Sequence, residues 1–174
     1  MASLKEMAHF EDVISQRVPN VKLVLIILSS KAMVFDLEAL RQKVVLSYPD
    51  AAVYFQTPSG DSVGNKAPEK VDLLIDFTGP KERQKFRLAN SLRRMSRVAV
   101  GRNSGWSRKR IYDRVFDETL PEANVPTDVM EKERFVQKLI LKLAGVAVVH
   151  TSDTPPDLGK IIPLELPNLL RTTF

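Results

Sequence analysis

The chain has 174 residues, with 26 Lys/Arg against 21 Asp/Glu and no cysteine. Without cysteine there is no disulfide framework, thiolate zinc site or cysteine nucleophile, and the two histidines, His9 and His150, are too far apart in sequence to suggest a metal site. The longest apolar run, Leu23–Leu28, is too short to span a bilayer. The opening MASLKEMAHFEDV lacks the apolar stretch of a signal peptide, so a cytoplasmic protein is expected.

In chain order, Leu4, Met7, Phe10 and Val13 or Ile14 fall near helical spacing and predict a short amphipathic helix within residues 1–20, closed by Pro19-Asn20. The run VKLVLIIL (Val21–Leu28) reads as a strand buried on both faces, as in a parallel sheet. A helix follows over Asp36–Tyr48, with Asp36 as N-cap and an apolar face of Leu37, Leu40, Val44 and Leu46 or Tyr48. AAVYF (Ala51–Phe55) is a second strand and residues 57–70 are a loop. VDLLIDF (Val71–Phe77) is a third strand, Lys81–Met95 a helix and RVAVG (Arg97–Gly101) a fourth strand. The stretch from Asn103 to Glu118 reads as irregular. A last helix begins at Asp128 with Glu131 three residues on, carries Val136, Leu139, Ile140 and Leu143 on its apolar face, and stops at Gly145. The Pro-rich apolar end, residues 151–174, is expected to pack back on its own domain or to mediate homo-oligomerisation. The alternation predicts one α/β domain over 21–150, with a small, mostly parallel, Rossmann-like sheet flanked by helices.

In such sheets ligands sit beyond the carboxyl ends of the strands, where strand order reverses. The first of these loops offers Ser29, Ser30 and Lys31, which can hold an anion but equally make an ordinary turn; it lacks the glycines of a dinucleotide fingerprint, and no cofactor or metal is expected. Asp76 ends the third strand beside the expected cleft. A carboxylate there can act as a base or orient a sugar hydroxyl, although the plainer reading is an Asp bonding nearby backbone amides.

Charge is the sharper signal. Lys81–Arg114 holds 12 Lys/Arg against Glu82 and Asp113, a net of +10, whereas the rest of the chain is −5. On the helix Lys81–Met95, Arg83, Arg87, Asn90 and Arg94 form one stripe opposite Leu88, Leu92 and Met95. Arg97, Arg102, Arg108, Lys109 and Arg110 continue the basic segment, with Trp106 and Tyr112 interleaved. Arginine forks suit phosphate and carboxylate oxygens, so these residues are candidates for an anion-binding surface. Nucleic acid is one polyanion with this chemistry, although no recognisable RNA- or DNA-binding motif accompanies it.

Four segments in order, SSKAMVFDLEALRQKVVLSYPDAAVYF, VDLLIDFTGP, RRMSRVAVGRNSG with RKRIYDRVFDE, and MEKERFVQKLILKLAGVAVV, resemble the N-terminal domain of the heptosyltransferases, family 9 glycosyltransferases of the two-domain GT-B fold. The resemblance covers roughly residues 21–150. It implies the acceptor-receiving half of an ADP-heptose:lipopolysaccharide transferase, whose acceptor is a phosphorylated, acidic glycan on lipid, with contact at the inner face of the membrane.

Three departures qualify that expectation. The position matching the family's general base, an Asp, is Met33, which takes no proton; Asp36 is the nearest substitute. The donor-binding domain has no counterpart in the sequence, and the loop before the strand bearing Asp76 is shortened, implying a reduced sheet. The expectation is therefore a degenerate, non-catalytic domain that binds an anionic glycan or lipid, or else the acceptor half of a split transferase completed by a protein carrying the donor domain.

Overall fold

The computed structural model describes residues 17–30, 33, 35–79, 94–103, 112–120 and 125–147. In chain order these form β1 (Leu23–Ile27), α1 (Leu37–Ser47), β2 (Ala52–Gln56), β3 (Ser62–Val63), β4 (Val71–Asp76), β5 (Ser96–Asn103), β6 (Arg114–Asp117) and α2 (Val129–Leu143). The strands make one sheet in the order β3-β2-β1-β4-β5-β6. Neighbouring strands are parallel except the short β3, which pairs antiparallel with β2. This is the α/β fold that the alternation predicts.

The central strands alternate between two buried faces. Val24, Ile26, Leu73, Ile75 and Val100 join a core completed by Leu40 and Val44 of α1 and Val136, Ile140 and Leu143 of α2. Leu25, Ile27, Leu74, Ala99 and Val115 form a second cluster on the other face, with Met95 packed against it. Burial on both sides explains why β1 and β4 read as unbroken apolar runs.

Local signals set the helix ends. Asp36 Oδ1 accepts from Ala39 N at 2.7 Å, and Asp128 Oδ2 accepts from Glu131 N at 3.0 Å, so both predicted caps are made. Gly145 stops α2 at a φ of 80°, a left-handed conformation that suits glycine. On α1 the alternatives resolve in favour of Tyr48: Leu46 is 76% exposed, whereas Tyr48 is buried.

Two strands lie where none was expected. β3 falls inside the predicted loop, and β6 inside the stretch read as irregular. Within β6, Val115 faces the second cluster and Phe116 the first, where its ring meets Phe135 of α2 edge-on at 6.1 Å. Four residues next to a basic run carry too little periodicity to announce a strand; pairing with β5 and cover by α2 make it one. The N-terminal helix, most of the helix over 81–95 and the tail lie outside the described residues. Among the described residues no helix is long and apolar enough to cross a membrane.

Tyr48 joins three parts of the chain at the edge where the strands begin. Its hydroxyl accepts from Val18 N at 3.0 Å and donates to Ala144 O at 2.7 Å. Burial raises its pKa above the usual 10.0, against the opposing effects of the Val18 hydrogen bond and the charges of Arg114 and Arg17. A raised folded-state pKa stabilises the fold fully below pH 10, and this contribution is lost as pH rises through the folded-state value. The melting temperature of the wild type should therefore fall between about pH 9 and about pH 11, and less steeply in Tyr48→Phe. Parallel alkaline slopes would remove Tyr48 as the cause.

Candidate functional site

Strand order reverses between β1 and β4, which places the loops after these strands at the position where α/β folds hold ligands. Asp76 pairs in register with Ile27 at that point, and Phe77 N continues the ladder to Ile27 O at 3.0 Å. After β1, Ser29 is buried and its N–H faces Met33 Sδ at 3.3 Å, while Ser30 is exposed. Met33 is fully buried in the first core as an apolar side chain. Asp36 is engaged as the α1 cap, its Oδ1 accepting from Ala39 N at 2.7 Å. Lys31 lies outside the described residues.

Asp76 is fully buried. One carboxylate oxygen accepts from Thr78 N at 2.9 Å and Thr78 Oγ1 at 2.6 Å, and the other accepts from Tyr112 OH at 2.7 Å. The plainer reading of Asp76 thus holds in part: it bonds a backbone amide two residues on. Another of its bonds, from the Tyr112 hydroxyl, comes from a residue 36 positions away. Tyr112, interleaved with the basic segment in the sequence, is itself buried. The ring lies on Gly101 of β5, where an added Cβ would stand 2.3 Å from Tyr112 Cζ. Gly101 is therefore the slot that lets the ring reach Asp76, and glycine is required there by close approach.

The next strands end in further polar contacts of their own. Asn103 Nδ2 donates to Asp117 Oδ1 at 3.0 Å, and Asp117 also accepts from the amide and hydroxyl of Thr119. Beside them Arg102 corrects the anion-binding set. It is 4% exposed and reaches inward, donating to Glu133 Oε1 and Oε2 of α2 at 2.9 and 2.8 Å and to Glu118 Oε2 at 3.0 Å. Burial works to lower the Arg102 pKa, but the bonds and charges of Glu133 and Glu118 outweigh it and hold the guanidinium above its usual range. An arginine already chelated by two carboxylates is closed to an external anion.

The remaining basic candidates divide by place. Arg97 is exposed, but at the start of β5, the opposite edge of the sheet from the switch point; it donates to Pro19 O and Asn20 O and lies 3.7 Å from Asp72. Arg94 is exposed, while its neighbour Met95 packs on the second core cluster. Arg83, Arg87, Arg108, Lys109 and Arg110 lie outside the described residues, as do Trp106 and both histidines. Among the described residues no group of three metal-ligating side chains comes together.

Sequence reasoning missed the Arg102–Glu118–Glu133 cluster, although one signal for it was present. Glu133 and Gln137 stand on the helical face of Val136 and Ile140, at positions that should be apolar. Polar residues on a core face announce a buried partner of opposite charge.

Comparison with known proteins finds no match: no family model, no curated protein and no solved structure corresponds to the chain.

Proposed function

We propose that the chain is a heptosyltransferase-like domain that binds a phosphorylated, anionic glycan through a basic face and does not itself transfer sugar. The observation that carries the reading is the division at the end of the helix predicted over 81–95: Arg94 is exposed and Met95 packs inward. The sequence spacing sets Arg83 and Arg87 on the same helical stripe as Arg94, and Leu88 and Leu92 on that of Met95. The absence of transfer is supported by Met33, a buried thioether at the matching base position, and by Asp36 and Asp76, both engaged in hydrogen bonds of the fold.

The test is charge reversal of the stripe. Arg83→Glu, Arg87→Glu and Arg94→Glu together should weaken binding of a phosphorylated lipopolysaccharide-core oligosaccharide at least tenfold by calorimetric titration. Exposed substitutions of this kind shift stability by about 0.5 kcal/mol each, so the circular dichroism spectrum should be unchanged. Undiminished glycan binding, or a triple variant that does not fold, would remove the basis of the reading.

A further inference from the structure

We infer that the corner where β5 and β6 end is a binding subsite for a vicinal diol, with Asn103 Oδ1 and Thr119 Oγ1 as its acceptors. Asn103 and Asp117 are the last residues of their strands and pair in register. The ladder closes just beyond them, with Glu118 N donating to Asn103 O at 2.9 Å. They stand at the carboxyl ends of the sheet, where α/β folds hold ligands. Arg102 turns to the α2 side, so Asn103, one residue on, faces the side of the second core cluster with Gly101 and Val115. Asp117 organises the corner. Its Oδ1 accepts from Asn103 Nδ2 at 3.0 Å, from Thr119 N at 3.1 Å and from Thr119 Oγ1.

Those bonds leave two acceptor oxygens in the corner. A carboxylate beside a carboxamide decides which end faces it: the Nδ2–H2 group donates, and the carbonyl oxygen is turned away. Asn103 Oδ1 is buried with no hydrogen-bond partner, on a residue only 2% exposed. A buried carbonyl oxygen left unpaired costs free energy that a bound donor recovers. Thr119 Oγ1 gives its one proton to Asp117 and keeps its lone pairs, and Thr119 is exposed. One acceptor therefore lies inside the corner and the other at its mouth, with Asn103 Nδ2 and Thr119 Oγ1 anchored on the same Asp117 oxygen. Two such acceptors match two O–H donors on neighbouring atoms, which is what a vicinal diol presents. Both are neutral, so a neutral ligand meets them without bringing a further charge into a buried position. Asp76, the other strand-end carboxylate of this face, is closed by Thr78 and Tyr112, which occupy both of its oxygens. The inference goes beyond the glycan reading, which needs only the basic stripe and its contacts with phosphate.

The test is titration of the isotope-labelled full chain with the vicinal diol cis-cyclohexanediol, followed by nuclear magnetic resonance at the side-chain amide of Asn103. That resonance should shift saturably at millimolar diol. Cyclohexanol, which lacks one of the two hydroxyls, should bind about fivefold more weakly, the factor for one hydrogen bond. Added salt should change neither affinity, since both probes are neutral. Thr119→Val removes the outer acceptor at an exposed position and should weaken the diol about fivefold with an unchanged circular dichroism spectrum. Asn103→Leu removes the inner acceptor and should abolish the response, read there at the backbone amide of Thr119. Where Asn103→Leu loses its fold, Thr119→Val decides. Because the probes carry no phosphate, none of these results depends on the stripe of Arg83, Arg87 and Arg94, and this inference and the glycan reading fail separately. No shift with the diol, which would mark Asn103 Oδ1 as the seat of an internal water, would overturn the inference. So would equal affinity for cyclohexanol, or a Thr119→Val chain that binds the diol as the wild type does.

Discussion

Replacing Arg102 with alanine is expected to cost about 3–5 kcal/mol of folding stability, because it removes one partner from a buried ion-pair cluster. The substitution leaves Glu118 and Glu133 on either side of the space the guanidinium filled, with Lys132 Nζ 4.0 Å from Glu118 and Gln137 Nε2 3.4 Å from Glu133 as the donors beside them. A domain of this size has about 5–15 kcal/mol in total, so the loss is a large fraction of the whole. The cluster nonetheless specifies the fold more than it stabilises it. Arg102 Nε is buried without a hydrogen-bond partner, a cost that an apolar side chain would avoid. Arg102→Met combined with Glu118→Leu and Glu133→Leu should accordingly recover most of the loss. Urea unfolding followed by circular dichroism measures both. A single variant that loses less than about 1 kcal/mol would place Arg102 in an exposed pair of the kind that contributes little.

Gly101→Ala should destabilise by about 3 kcal/mol, near the upper range for overpacking. The new methyl would stand 2.3 to 2.6 Å from Cζ, Cε1 and Cε2 of Tyr112. The ring has no easy retreat, because it is buried and its hydroxyl is tied to Asp76 at 2.7 Å. Moving it withdraws a donor from a fully buried carboxylate, which adds to the steric cost. The decisive comparison is a double-mutant cycle. In a Tyr112→Ala background the same Gly101→Ala change should cost at least about 1 kcal/mol less, since the clash is gone. Additive effects would show that Gly101 is constrained by something other than the ring.

These two sites mark where the sequence stops being readable. β1 and β4 were legible because burial on both faces writes itself as a continuous apolar run, and α1 and α2 because Asp36, Asp128 and Gly145 act within a turn of where they stand. β6 was not, because four residues beside a basic run show no period, and its pairing partner lies earlier in the chain. At the site, Asp76 could be placed at the cleft by its strand, but its bond to Tyr112 spans 36 residues and Arg102's to Glu133 spans 31. A basic residue in a basic segment looks like part of the surface until its distant carboxylate is known. Arg102 was assigned to the anion-binding surface for that reason. Arg94 and Met95 went to the correct sides because helical spacing alone decides them.

The central claim is that phosphate on an anionic glycan is what the basic face recognises. The most direct measurement is a calorimetric titration of the full chain with one core-type oligosaccharide in its phosphorylated and enzymatically dephosphorylated forms, each at low and at moderate salt. Binding of the phosphorylated form at least tenfold more tightly, with the difference shrinking as salt rises, is the predicted result. Equal affinity for the two forms, or a preference unaffected by salt, would contradict the account.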